Sequence, residues 1–142
     1  MESTEIEPGK LAAYEATEYR IGMDAGAPVL RIGMRSVELA RMHEEAGVAC
    51  SLFITAWNPL GALRPEAENQ VAHEELRVVL AALSPRIVEG AGGEPRCDWP
   101  EERSFLALGI GEDAARELGR RFRQDAVVWS GADAVPRLLL LR

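Results

Sequence analysis

Cysteine is scarce in this chain of 142 residues: Cys50 sits inside an apolar run and Cys97 in a loop far from it. Two such thiols supply no disulfide framework and no paired CxxC, and the pattern is that of a reduced, cytoplasmic protein. Positive charge is also short, with 16 Lys and Arg against 23 Asp and Glu and a formal net charge of −7. Nucleic acid and anionic membrane both need a positive field at long range, so neither is expected as a partner, although a local basic patch is allowed. No run approaches the roughly 20 apolar residues of a membrane span. The acidic start Met1-Glu2-Ser3-Thr4-Glu5-Ile6-Glu7 leads into no apolar stretch of leader length, so export by a cleaved leader is not expected. Metal and nucleotide motifs are missing too. His43-Glu44-Glu45 and His73-Glu74-Glu75 have no second His in position, and there is no Walker loop. Gly109-Ile110-Gly111 lacks a third Gly, and Glu112 and Asp113 would repel a phosphate there. Neither a metal nor a cofactor is expected.

What is present suits one globular domain over 1–142. Hydrophobic residues make up 47% and charged residues 27%, and a chain this long buries about two-thirds of its unfolded surface without a metal or disulfide. Residues 1–9 read as a flexible lead-in and 10–16 as a short helix. Extended runs over 17–23 and 29–32 flank Asp24-Ala25-Gly26-Ala27-Pro28, a hairpin loop by its Gly and Pro chemistry. Ser36 is placed to cap a helix over 37–46, and Gly47 follows where a left-handed residue is wanted. Residues 50–57 are too continuously apolar for a strand with one side in water, so this strand is expected at the centre of a sheet with helices over both faces. Pro65 suits the first turn of a helix whose stripe of Ala72, Leu76, Val79, Leu80 and Leu83 runs to Ser84-Pro85. A strand over 86–89, a connection over 90–100, a strand over 104–110, a helix opened by Glu112 and Asp113, and strands over 126–130 and 137–141 complete the order. There is no internal repeat and no linker.

From 50 to 130 the order is strand, helix, strand, strand, helix, strand. This predicts an α+β fold with a ferredoxin-like split βαβ core, an N-terminal β-hairpin and helix, and a C-terminal extra strand. A mixed or doubly wound sheet has the same order of elements, since order does not fix pairing. In the split arrangement, alternating chain direction brings Thr55, Asn58, Asn69, Trp99, Glu102, Gln124 and Asp125 to one end of the sheet, where they would share a cleft. Asn69 falls on the inward face of its helix, where its amide either bonds the loop at 58–61 or meets a ligand. His73 flanks the same stripe, as a packed side chain or as an acid–base group. Glu102, if roofed by Trp99, would be suited to general acid or base work, with Asp125 either its partner or paired to an arginine. Arg120 and Arg123 follow the helix dipole and also stand beside Gln124, where an anionic ligand would need them. Trp57, Trp99 and Trp129 stack on a ligand ring or pack in the core.

Ile54-Thr55-Ala56-Trp57-Asn58-Pro59, Glu68-Asn69, Trp99-Pro100-Glu101-Glu102-Arg103-Ser104-Phe105-Leu106 and the run from Leu118 to Trp129 together resemble the DUF3293 family, over roughly residues 15–135. The resemblance implies a small bacterial domain of unknown function. Gly61 stands where that family usually has Ser or another polar residue, His73 where it has a second Asn, and Asp125 where Asn follows Gln124. The function expected is binding of a small polar or anionic ligand, nucleotide- or phosphate-like, by Thr55, Asn58, Asn69, Trp99, Gln124 and Asp125 with Arg120 as counter-ion. Any catalysis would be hydrolytic, through Glu102 and His73. The competing expectation is a non-catalytic interaction or assembly module, with a homodimer joined through the leucine-rich C-terminal strand as its form.

Overall fold

Strand β3 (Ser51–Ile54) has all four residues buried, because it lies inside a sheet covered on both faces. A computed structural model describes residues 6–94 and 100–142 of the protein. Around β3 lie α1 (Pro8–Ala16), β1 (Glu18–Arg20), β2 (Val29–Leu30), α2 (Val37–Ala46), α3 (Glu66–Leu83), β4 (Ile87–Gly93), β5 (Glu102–Leu108), α4 (Glu112–Arg121), β6 (Ala126–Ser130) and β7 (Pro136–Leu140). The fold is α+β, with one seven-stranded sheet in the order β2-β1-β4-β5-β3-β6-β7. Every neighbouring pair is antiparallel.

Strand alternation sends Leu52 and Ile54 to one face and Ser51 and Phe53 to the other. On the first face Leu76 and Leu80 of α3 and Ala115 and Leu118 of α4 cover Leu52, Ile54, Phe105, Ala107 and Val127. On the second, Leu39 of α2 packs with Tyr19, Leu30, Phe53, Leu106, Leu108 and Val128. Burying each such aliphatic side chain stabilises by about 1.5–3 kcal/mol. Helix α2 has the ends expected of it: Ser36 accepts the Leu39 N–H at 3.1 Å, and Gly47 is left-handed at φ 67°. Its His43 turns inward to Ser51 Oγ at 2.8 Å.

Several boundaries differ from the sequence reading, among them β5, which runs over Glu102–Leu108 rather than 104–110, and three have a clear physical reason. Strand β3 stops at Ile54 rather than 57, because the Thr55 hydroxyl takes over: it donates to the Arg103 carbonyl at 2.7 Å and accepts the Trp57 N–H at 3.0 Å, turning the chain away. Strand β4 continues to Gly93 through residues that read as a loop. A Cβ on Gly90 would fall 2.1 Å from the Arg20 carbonyl oxygen, so the glycine is what lets β1 dock along β4. Helix α1 begins at Pro8 and Ile6 is buried, which shortens the lead-in. Cys97 and Trp99 lie outside the described residues.

Candidate ligand-binding site

Backbone strain gathers at one end of the sheet. Four non-glycine residues among those described have positive φ, and three of them, Asn58 (46°), Leu60 (57°) and Arg123 (58°), face each other across two loops. The Leu60 N–H donates to the Arg123 carbonyl at 2.6 Å. Such conformations cost on the order of 1–3 kcal/mol each and persist where the surroundings over-determine them, which is common at functional sites. Asn58 is the brace. Its N–H donates to Asn69 Oδ1 at 2.8 Å, its Oδ1 accepts from Asn69 Nδ2 and from the Arg64 N–H at 2.9 Å each, and its Nδ2 donates to Glu102 Oε2 at 2.9 Å. Asn69 also reaches the Arg64 carbonyl at 3.3 Å. Of the two readings open for Asn69, the structure places its amide on the loop.

Beside this brace, on the sheet face that carries Phe53 and Val128, lies a cavity of about 290 Å³. Helix α2 fills the far half of that face. Over the near half Gly92, Ser104 and Ala126 are too small to reach the helix above, and α1 roofs the space with Lys10, Ala13 and Tyr14. Thr55, Asn58, Glu102 and Gln124 line it from three segments distant in sequence. Gln124 is only 9% exposed, and its Nε2 is 3.3 Å from both the Trp57 and Phe122 carbonyls. The roof is tied down through buried Asp125. Tyr14 donates its hydroxyl proton to Asp125 Oδ2 at 2.9 Å, Lys10 Nζ stands 2.7 Å from the same oxygen, and Arg142 pairs with the other. Burial pushes the Asp125 carboxyl up, but its bonds to Lys10, Arg142 and Tyr14 more than offset this and hold it below the usual range. Burial, then the Asp125 charge, pushes the Tyr14 phenol well above its ordinary value.

His73 stands on the opposite face. Its ring stacks on Phe105 with centroids 4.3 Å apart, and its Nε2 is 3.0 Å from Glu89 Oε1, which Arg103 also binds. Its Nδ1 is buried without a partner. Burial lowers the imidazole pKa, opposed by the Glu89 hydrogen bond and reinforced by Arg103 and Arg77. Strand alternation puts Glu102 on the cavity face and Glu89, Arg103 and Phe105 on the other. The sheet therefore separates the two residues expected to share acid–base work.

The remaining expected residues divide in the same way. Thr55, Asn58, Glu102 and Gln124 line the cavity, Asn69 supports it from behind, and Asp125 anchors its roof. Arg120 is exposed and does not line it. Trp99 lies outside the described residues. Of the other tryptophans, Trp129 donates Nε1–H to the Ile110 carbonyl at 2.8 Å, and Trp57 meets the His73 ring edge-on. Sequence reasoning missed Lys10 and Tyr14, which carry no motif and are recruited by the docking of α1, and Tyr19 and Ser104, which line the cavity from β1 and β5. A Cβ at Gly61 would lie 2.3 Å from Lys10 Nζ and 3.3 Å from Asp125 Oδ2. Positions 61 and 125 are thus coupled, because the bare glycine admits the lysine that neutralises the aspartate.

The model of a family described as a protein of unknown function, DUF3293, matches residues 54–127, half of the chain. The chain belongs to the DUF3293 family. No curated protein matches it, and no solved structure does. The segment matched to DUF3293 runs from the end of β3 into β6 and so contains Asn58, Asn69, Glu102 and Gln124. Helix α1, which roofs the cavity, lies outside it, as do β1, α2 and β7. In this DUF3293 member no group of three or more His, Cys, Asp or Glu side chains among the described residues is arranged to hold a metal ion. No described helix is long and apolar enough to cross a membrane.

Proposed function

We propose that the protein binds a small organic molecule in the cavity between α1 and the sheet. The observation that carries this reading is the coincidence of a partly enclosed space with three left-handed residues beside it and with the polar side chains of Thr55 and Asn58 just after β3, Glu102 in β5 and Gln124 just before β6. An apolar chamber with a few convergent polar groups is the usual form of a small-ligand site. The reading is of binding rather than hydrolysis, since Glu102 and His73 face opposite sides of the sheet. It also moves away from a nucleotide or phosphate. Among the described lining residues the only cation is Lys10, and that charge is spent on Asp125. Residues 51–130 are read as a ferredoxin-like split βαβ core, supported by the antiparallel order β4-β5-β3-β6 with α3 and α4 on one face.

Thermal shift against a chemically diverse small-molecule library tests the binding, repeated with Ala126→Leu, which extends a side chain into the cavity from its floor. A ligand specific for the native state at 100 times its Kd adds about 2.7 kcal/mol. That gain should vanish in the variant, and an equal gain in both proteins sinks the reading. A second reading, assembly through the C-terminal strand, has one observation in its favour: β7 is an edge of the sheet and Leu140 is 37% exposed. Sedimentation at two concentrations decides it, and a monomer at both rules it out.

A further inference from the structure

Resting on the cavity reading, we propose that α1 is the gate of the cavity: a strap, latched on Asp125, that unwinds to admit a ligand while the sheet stays folded. Both ends of the strap are fixed. Ile6 before it is 3% exposed, and Glu18 after it is already in β1. Between them α1 has no buried residue and no side-chain cap at Glu7, so little apolar burial holds it down. Its nine residues are too few to stay helical alone, since isolated helices below about 12–15 residues are marginal in water. The helix therefore depends on its bonds to the body. Tyr14 and Lys10 both close on Asp125 Oδ2, Lys10 also donates to the Leu60 carbonyl at 3.3 Å, and the Tyr19 hydroxyl donates to the Tyr14 carbonyl at 2.7 Å.

The latch is built to release. Opening a buried ion pair is most costly when it strands one charge. Here the Asp125 carboxylate is shared: α1 holds Oδ2 and Arg142 holds Oδ1, so lifting α1 leaves the carboxylate its arginine. The Lys10 side chain, 33% exposed, returns to water that it already touches. Slack comes from the helix itself. Its nine residues span about 14 Å when helical and up to about 30 Å when extended, so unwinding frees the roof without moving either anchor. The floor is then uncovered, and Ser104, which lines the cavity from β5, is 2% exposed while the roof is in place. A ligand in contact with Lys10, Ala13 and Tyr14 binds the latched strap alone, so occupancy and helix formation rise together.

The experiment is alkylation by iodoacetamide of the full chain carrying the near-isosteric Ser104→Cys, with the new thiol followed by peptide mass spectrometry. It should react at least about tenfold more slowly than in the urea-unfolded chain, at a rate that stays flat through low urea, because opening so short a strap exposes little surface. Tyr14→Phe, which removes one bond of the latch, should speed the reaction about tenfold. Gly9→Ala, whose Cβ meets nothing within 4 Å, should slow it about threefold by favouring the helix. A rate that climbs with urea at the slope of global unfolding puts the thiol behind the sheet rather than the strap and overturns the gate. A thiol as reactive as in the unfolded chain also overturns it, since nothing is then closed, and so do two variants that react at the parent's rate. These kinetics need no ligand, so the cavity reading is judged apart: a library without a hit removes that reading and leaves the strap a local opening with nothing to admit.

Discussion

Asn69 shows what a buried amide contributes when both of its N–H groups and its carbonyl oxygen are bonded. It is 2% exposed and serves the Asn58 N–H, Asn58 Oδ1 and the Arg64 carbonyl. Asn69→Ala leaves a buried N–H of a left-handed residue without an acceptor, which costs about 1–3 kcal/mol. Urea denaturation should show a loss in that range, and a loss below about 0.5 kcal/mol would mean that water replaces the amide. Arg123 offers the opposite test. It is exposed, its side chain makes no hydrogen bond among the described residues, and its φ is 58°. Because an L-residue pays roughly 1–2 kcal/mol in that region, Arg123→Gly should raise stability by about 1 kcal/mol. No gain in the same assay would show that the loop is not strained. These residues were unequally legible beforehand. Asn58, Asn69, Glu102 and Gln124 could be placed together because alternating strand direction alone brings them to one end. The face each one occupies was not legible, since that depends on register to the residue, and His73 was grouped with Glu102 for that reason.

Helix α2 could be read almost to the residue because its signals are local: a Ser that caps it, a Gly that ends it, and one inward stripe. Helix α1 has no comparable code. None of its residues is buried and no side chain caps it, so its place is set by bonds to distant partners, chiefly Tyr14 and Lys10 on Asp125. The cavity was illegible for the same reason, being the space left between α1 and small residues on strands far along the chain. Strand β4 was cut short in the reading because Gly90, Gly92 and Gly93 resemble a loop, whereas here glycine allows two backbones to approach. An element held chiefly by polar bonds, with no fully buried residue of its own, should open before the sheet does. Tyr14→Phe removes the proton shared with Asp125 while keeping the ring. Amide exchange over Pro8–Ala16 should then accelerate severalfold, with β3 and β5 protected as before. If β3 accelerates equally, the roof is an inseparable part of the core.

The response of the whole molecule to acid separates its individual groups from its overall charge. With a formal net charge of −7 and an isoelectric point near 4.9, the folded protein repels itself at neutral pH, and mild acidification relieves that repulsion. Net charge alone therefore predicts higher stability as pH falls from 7 towards 5. The buried histidines predict the reverse. Burial lowers the pKa of both His73 and His43 from their ordinary 6.5. A group whose folded pKa is depressed binds fewer protons when folded, so its contribution is complete above about 6.5 and is lost as pH falls towards the folded value. Asp125 and Glu89 follow the same rule at lower pH. Burial raises both carboxyls, but hydrogen bonds from Lys10, Arg142 and Tyr14 to Asp125, and from His73 and Arg103 to Glu89, leave them below their ordinary values of 3.8 and 4.5. Their contribution is present above that range and is lost as pH falls through the folded values. The urea midpoint should accordingly decline in two limbs, one beginning near pH 6.5 and one below about pH 4. Replacing both histidines, with His73→Gln and His43→Gln, should flatten the first limb and leave the second. A midpoint that rises between pH 7 and 5 in the parent would mean that self-repulsion outweighs both buried imidazoles, and a first limb that survives the double replacement would assign it to other groups.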